Sequence, residues 1–444
     1  MTPTTRRGDH RPVPGGVREM ADRWRAGVVV PEWHRATTRH GASLYPFQLE
    51  EGFGTNGVYV GVNVSAGMNG FFFDQFELYP RWVTSPNMIV MGDVGQGKSA
   101  LVKTFARRQR AVYGHDRFLA ILDPKGEYGA LAHALDLPVL RLYPGGVQRL
   151  NPMDPPAACD PTNPASLYQA RQELAAALVT AVLRRAMTPI ERGLLDTSIR
   201  DLCLPGRPFT LLDVLAAVKA PGDDITAMAR RSQLDVARLT SDVVFALSAL
   251  VSNSLAGMFD GSTTATIDLT SGGFVLDLSA VFANEEAFPL VMLAAISWMN
   301  SLYRTPDRPS KVVQIIDECW AAVRHGAAFF QAALKLSRTL GVGTILVCHR
   351  PSDLTAQTDT GTSAHQIAQG LIADCQTRVL LRPPDDQLAA AATMFDLSDR
   401  EATELASMHR GRALWLINKR RAVVAHVLGP GDNTLIDTDS AMVG

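Results

Sequence analysis

The chain has 444 residues, with 43 Lys plus Arg against 44 Asp plus Glu for a net charge of −1, and 46% of its residues are hydrophobic. This composition excludes a disordered, collagenous or coiled-coil chain. The balanced charge provides no bulk electropositive field for nucleic acid or an anionic membrane.

At roughly 100 to 200 residues per domain, the length implies two to four domains or one large domain carrying an insertion. The five cysteines (Cys159, Cys203, Cys319, Cys348, Cys375) are odd in number, widely spaced and contain no C-x-x-C pair. That pattern argues against a disulfide framework or a zinc site and fits a reducing cytoplasm. Apolar stretches such as Phe288 to Met299 fall short of the roughly 20 residues that a membrane helix needs. The charged N-terminal region has no apolar segment behind it, so no secretory signal is expected.

Residues 1–45 mix Arg, Thr, Pro and Gly without periodicity and read as a flexible arm. Val58, Val60, Val62 and Val64 then alternate, with Phe71, Phe72, Phe73 and Phe76 behind them. This predicts short antiparallel strands leading into the core and flanking its nucleotide site. Apolar runs follow at Met88–Met91, Phe118–Leu122, Phe274–Leu278, Val312–Ile316, Thr344–Cys348, Val379–Arg382 and Ala413–Ile417. Runs of this kind, separated by turns and helical stretches, predict an α/β fold with a mostly parallel sheet covered on both faces. Between the second and third runs, Leu174, Ala177, Leu178, Ala181 and Val182, and then Leu211, Val214 and Leu215, keep helical spacing. The predicted layout is therefore a first core part at 46–154, an all-helical insertion at 155–260, a second core part at 261–428 and a tail at 429–444.

The strongest chemical signal is Gly92-Asp93-Val94-Gly95-Gln96-Gly97-Lys98-Ser99, which follows a strand and leads through Ala100 into a helical stretch. Glycines let the backbone wrap a triphosphate, N–H groups and the helix start attract its oxygens, Lys98 reaches the β/γ-phosphates, and Ser99 can ligate Mg²⁺. The run Val312–Ile316 ends in Asp317-Glu318. At that place an Asp supports the metal and a following Glu polarises the attacking water. A further strand delivers Asp123 and Glu127, in Asp123-Pro124-Lys125-Gly126-Glu127-Tyr128, to the edge where ligands bind in open α/β sheets. His349, at the end of another run, is a candidate γ-phosphate sensor. For the arginine that stabilises charge in phosphoryl transfer, Arg338, Arg350, Arg378 and Arg412 all remain open.

Taken with Asn151-Pro152-Met153, Asp317-Glu318-Cys319-Trp320 and His349-Arg350-Pro351-Ser352-Asp353, these motifs resemble the C-terminal motor domain of the VirB-class traffic ATPases of the HerA/FtsK superfamily. The likeness runs from about Gly57 to Val427. It implies a RecA-like P-loop core with a helical insertion, ATP and Mg²⁺ as cofactors, and self-association into a ring, expected to be a hexamer. It also implies hydrolysis coupled to conjugation or type IV secretion channel components, in the cytoplasm or peripherally at the inner face of the membrane. Matched to the family's motifs, Lys98 and Ser99 stand in its phosphate loop, Asp317 and Glu318 are its metal-binding and catalytic acids, and Arg338 matches its intersubunit arginine. The family usually has Gln where His349 stands. A DNA-translocating relative of the coupling-protein or HerA kind, with DNA as partner, and an ATP-dependent scaffold with little hydrolysis are the competing expectations.

Overall fold

Five strands in the middle of the molecule are so apolar that only burial on both faces accommodates them, as parallel sheets require. They are β3 (Met88–Met91), β4 (Phe118–Asp123), β6 (Gly273–Asp277), β7 (Val312–Ile316) and β8 (Val342–Cys348). The structure, a computed structural model, describes residues 54–65, 67–154, 164–204, 207–252, 255–264, 267–303, 309–350 and 363–436. The expected N-terminal arm, residues 437–444 of the tail, and Pro351, Ser352 and Asp353 lie outside the described residues.

Eleven strands of the described residues form one sheet in the order β2-β1-β11-β10-β9-β3-β8-β7-β4-β6-β5. The portion from β9 (Thr377–Leu380) to β5 (Val139–Arg141) is parallel. β10 (Arg412–Ile417), β11 (Arg420–His426), β1 (Val58–Asn63) and β2 (Asn69–Phe73) extend it as an antiparallel flank. The runs predicted from sequence are all present as strands, and the last of them, Ala413–Ile417 in β10, is antiparallel to both its neighbours. β5, only three residues long, and β11, which opens on Arg420-Arg421, are not among them.

The expectation that β1 and β2 flank the nucleotide site is corrected by the strand order, because β11, β10 and β9 separate them from β3. They pack instead beneath the helix Lys98–Tyr113, whose Arg108 donates to the carbonyls of Tyr59 and Val60.

Side-chain alternation with period two divides the sheet between two cores. Met88 and Val90 join Leu101, Val102 and Phe105 of the helix Lys98–Tyr113 on one face, together with Phe73 and Trp415. Ile89 and Met91 join Leu178, Leu194, Leu247 and Met292 on the other. Fully burying one such side chain contributes about 1.5 to 3 kcal/mol. The second face is covered by helices lying between β5 and β6: Pro164–Leu183, Pro189–Leu202, Leu211–Lys219, Asp223–Ala229, Gln233–Leu239 and Ser241–Val251. Thr188 and Glu191 close a reciprocal capping box on the second of these. Asn151 ties the loop before them to the helical layer, donating to Asp154 and to the Phe209 carbonyl.

Cys319 and Cys348 form a disulfide with Cα atoms 6.0 Å apart, a correction to the expectation that no cysteines pair. Sequence spacing could not show it, because parallel pairing of β7 with β8 brings the two strand ends together. Cys203 and Cys375 are free.

Candidate active site

Parallel strands all point their carboxyl ends to one edge, so the loops after β3, β4, β7 and β8 converge there. The loop after β3 is the glycine-rich one. Gly95 (φ 78°) and Gly97 (φ 105°) hold left-handed conformations that a Cβ disfavours. At Gly92 an added Cβ would lie 2.6 Å from Leu381 Cβ of the neighbouring chain segment. The helix that follows begins at Lys98 with no acidic residue in its first turn, leaving its N–H groups and dipole free for an anion.

The Lys98 ammonium folds back over this loop and donates to the carbonyls of Gly92 (2.7 Å) and Asp93 (2.8 Å). Burial lowers its pKa to about 8, against the opposing charges of Asp317 and Glu318.

Asp317 and Glu318 follow β7 directly. Asp317 accepts from the Glu318 N–H (2.9 Å) and from the Tyr128 hydroxyl (3.3 Å). Burial, then the charge of Glu318, raises its pKa to about 6. Glu318 stands at φ 50°, a left-handed conformation that costs a non-glycine residue of order 1 kcal/mol and marks functional turns. Its side chain is 3% exposed and surrounded by donors: Oε1 lies 2.5 Å from Lys125 Nζ and 2.6 Å from His349 Nε2, and Oε2 accepts from Trp320 Nε1 at 2.6 Å. Burial alone would raise its pKa, but the hydrogen bonds and charges of His349 and Lys125 win and bring it to about 2.

The loop after β4 is pinned by its own aspartate. Asp123 accepts from the backbone N–H groups of Lys125, Gly126, Glu127 and Tyr128, so this predicted nucleotide-site residue commits its carboxylate to shaping a turn. Burial nevertheless raises its pKa. Glu127 lies 4.0 Å from Lys103 Nζ, whose side chain is fully buried and whose ammonium has no hydrogen-bond partner among the described residues.

The structure thus gathers Lys98, Asp317, Glu318 and His349 at one edge, with Asp123 and Glu127 on the adjoining loop. It places Arg338 elsewhere. The helix Trp320–Leu340 runs back from the carboxyl edge, and near its end Arg338 donates to the Thr84 carbonyl (3.2 Å) before β3 begins. Arg378 donates to the Cys375 carbonyl within its own turn. Sequence reasoning assigned no role to Lys125, Tyr128 or Trp320. Lys125 was findable, since it sits two residues beyond a strand-end acid at the same edge, whereas Tyr128 and Trp320 became visible only through their partners.

A large, mostly parallel sheet with a glycine-rich phosphate loop between β3 and its helix defines an α/β fold of the P-loop NTPase kind. VirB4 of Thermoanaerobacter pseudethanolicus superposes with a TM-score of 0.68 at 17% identity, over 86% of this chain and 100% of that one. The plasmid coupling protein TrwB, in complex with the non-hydrolysable GTP analogue GDPNP, superposes with a TM-score of 0.55 at 16% identity, over 80% of this chain and 89% of that one. TrwB in complex with ADP and Mg²⁺ gives 0.53 at 16% identity, over 78% and 86%. No protein-family model matches the chain, and no curated protein matches it. At these identities the likeness is one of fold, and it agrees with the resemblance carried by the motifs.

Proposed function

We propose that the chain is an ATP-hydrolysing motor that assembles into a ring, expected to be a hexamer, and powers macromolecular transfer in a conjugation or type IV secretion system. One observation carries the reading: the lysine of a phosphate loop and a consecutive Asp–Glu pair stand at the same carboxyl edge, close enough for the charges of both acids to act on Lys98. In this reading Lys98 and the loop N–H groups bind the triphosphate, Glu318 orients and deprotonates water, and His349 senses the terminal phosphate. Arg338, at the far end of the strands from its own Lys98, serves a neighbouring subunit's nucleotide.

Mg²⁺ suits this site. Ser99 at the helix start and the buried Asp317 carboxylate are hard oxygen donors, and no group of three or more His, Cys, Asp or Glu among the described residues offers a closed metal cage. Mg²⁺ characteristically takes one or two protein ligands and completes its shell with water and phosphate. It would be held by Ser99 and Asp317 and would neutralise charge on the phosphates.

The fold likeness to the plasmid coupling protein TrwB supports a second reading, a DNA translocase of the coupling-protein or HerA kind. No helix among the described residues is long and apolar enough to cross a membrane, so attachment to a channel would run through partners. ATP turnover per subunit, measured across a protein concentration series with and without DNA, separates the readings. Turnover that rises with concentration and ignores DNA supports the secretion motor, DNA stimulation moves the assignment to the translocase, and absence of turnover removes both.

A further inference from the structure

Lys125 reaches the same oxygen of Glu318 as His349 does, and the two donors are not equivalent. His349 follows β8 and Glu318 follows β7. The Cys319–Cys348 disulfide joins the residue after Glu318 to the residue before His349, so the backbone segments that carry these two side chains are tied together. Lys125 arrives from the loop after β4 on a four-carbon stem, its side chain 30% exposed while that of Glu318 is 3% exposed. The loop backbone is immobilised by Asp123, which leaves the stem as the movable part. Lys125 and His349 both engage Oε1 of Glu318 while Trp320 takes one site on Oε2, so Oε1 has no free lone pair with which to hold a water while Lys125 stays. Lys125 also faces the phosphate loop closely enough for its charge to act on Lys98.

We propose that Lys125 is a phosphate-responsive latch on Glu318, and this rests on the nucleotide-site reading above. In the arrangement described here its ammonium neutralises Glu318. A nucleoside triphosphate brings a terminal phosphate bearing up to two negative charges against the single charge of the carboxylate, and the ammonium moves to the phosphate. That movement frees Oε1 of Glu318 for water only when a triphosphate is present, and the ammonium on the phosphate offsets the repulsion between the two anions. A nucleoside diphosphate lacks the group that draws the lysine away. The latch therefore makes Lys125 a triphosphate-sensing residue distinct from Lys98.

The test is to measure the affinities of the full chain for ADP and for a non-hydrolysable ATP analogue, both with Mg²⁺, in the unmodified protein, Lys125→Met and Lys125→Arg. The melting temperature confirms folding, and Lys125→Gln replaces the methionine variant if that one does not fold. The latch predicts that Lys125→Met weakens the triphosphate analogue at least tenfold, leaves ADP within twofold, and that Lys125→Arg restores most of the loss. Equal weakening of both nucleotides, or no weakening of either, overturns it. If the unmodified chain binds neither nucleotide, or Lys98→Ala binds both as well as the unmodified chain, the nucleotide-site reading itself falls and the latch with it. That outcome is distinguishable from a loss that is merely unselective.

Discussion

The two ends of the same parallel strands are built on opposite principles. At the amino edge, polar side chains tie neighbouring segments together through neutral hydrogen bonds, most of them to backbone groups. Asn87 donates to the Leu334 carbonyl and accepts from the Thr344 N–H, Gln75 donates to the Gly343 carbonyl, and Gln376 bridges Thr84 through both its amide atoms. At the carboxyl edge, ionisable groups crowd together and shift one another: burial pushes Lys98 down to about 8 and Asp317 up to about 6, while its partners hold Glu318 near 2. Neutral hydrogen bonds between segments stabilise and specify a fold. Charges held away from their ordinary ionisation mark a place kept for chemistry. One edge fastens strands together, and the other gathers ionisable groups that shift one another.

That contrast can be broken by substitution. Lys98→Ala is expected to have the largest effect, abolishing turnover and weakening nucleotide binding by about 3 kcal/mol, roughly 100-fold, as loss of a charged hydrogen-bonding partner implies; isothermal titration checks it. Glu318→Gln should keep ADP affinity and bind the triphosphate at least as tightly while turnover falls by roughly 10² to 10⁴, the contribution of a positioned proton acceptor; unchanged turnover would favour the scaffold. Arg338→Ala, at the opposite edge, is expected to leave nucleotide affinity and melting temperature intact and lower turnover by at least about tenfold, or about 1.4 kcal/mol. That loss should appear only at protein concentrations where subunits associate. Normal turnover under those conditions would identify Arg338 as a fastener of the amino edge and nothing more.

The pH dependence of binding sharpens the same contrast. The folded site depresses the Lys98 pKa to about 8, while a bound phosphate favours the charged form. Triphosphate binding should therefore be flat between about pH 7 and 8, above the range where Asp317 titrates, and weaken above pH 8 by at most about tenfold per unit, since binding then takes up a proton. A flat profile from pH 7 to 9.5 would mean that Lys98 is already fully charged in the empty site.

Much of the parallel half was legible because burial on both faces forces an unbroken apolar run, as in Met88–Met91 and Val312–Ile316, and because the phosphate loop needs glycines at fixed offsets. β5 was not legible, since it is a three-residue edge strand with Val139 and Arg141 exposed. β11 begins Arg420-Arg421 and owes its place to a tight turn at Asn418, whose left-handed φ of 54° suits asparagine. At the site, the acids were readable as strand-end residues, but their partners were not. That Lys125 and His349 share one oxygen of Glu318, or that Asp123 closes its own loop, depends on which strands become neighbours. Asn151, which carried part of the family resemblance, acts in packing by tying a loop to the helical layer.

The smallest expected effect lies in that helical layer and tests whether a shifted ionisable group always signals function. Glu191 is as strongly perturbed as Glu318, its pKa lowered to about 2 by hydrogen bonds from Arg185 and Thr188 that outweigh burial. Its setting is a capping box and a two-pronged pair with Arg185, far from the phosphate loop in sequence and on another core. Because its folded pKa is depressed, its stabilisation is present above the ordinary carboxylate pKa near 4.5 and disappears as pH falls toward 2. Glu191→Ala should thus cost about 1 to 3 kcal/mol of stability at neutral pH, the sum of a lost cap and a lost charged hydrogen-bond pair. The cost should shrink on acidification and leave nucleotide affinity unchanged. Equilibrium denaturation at pH 7 and pH 3 reads both. A Glu191 variant that melted normally but lost turnover would show that the helical layer belongs to the chemistry, and the division between fastening and reacting groups would no longer follow the two edges of the sheet.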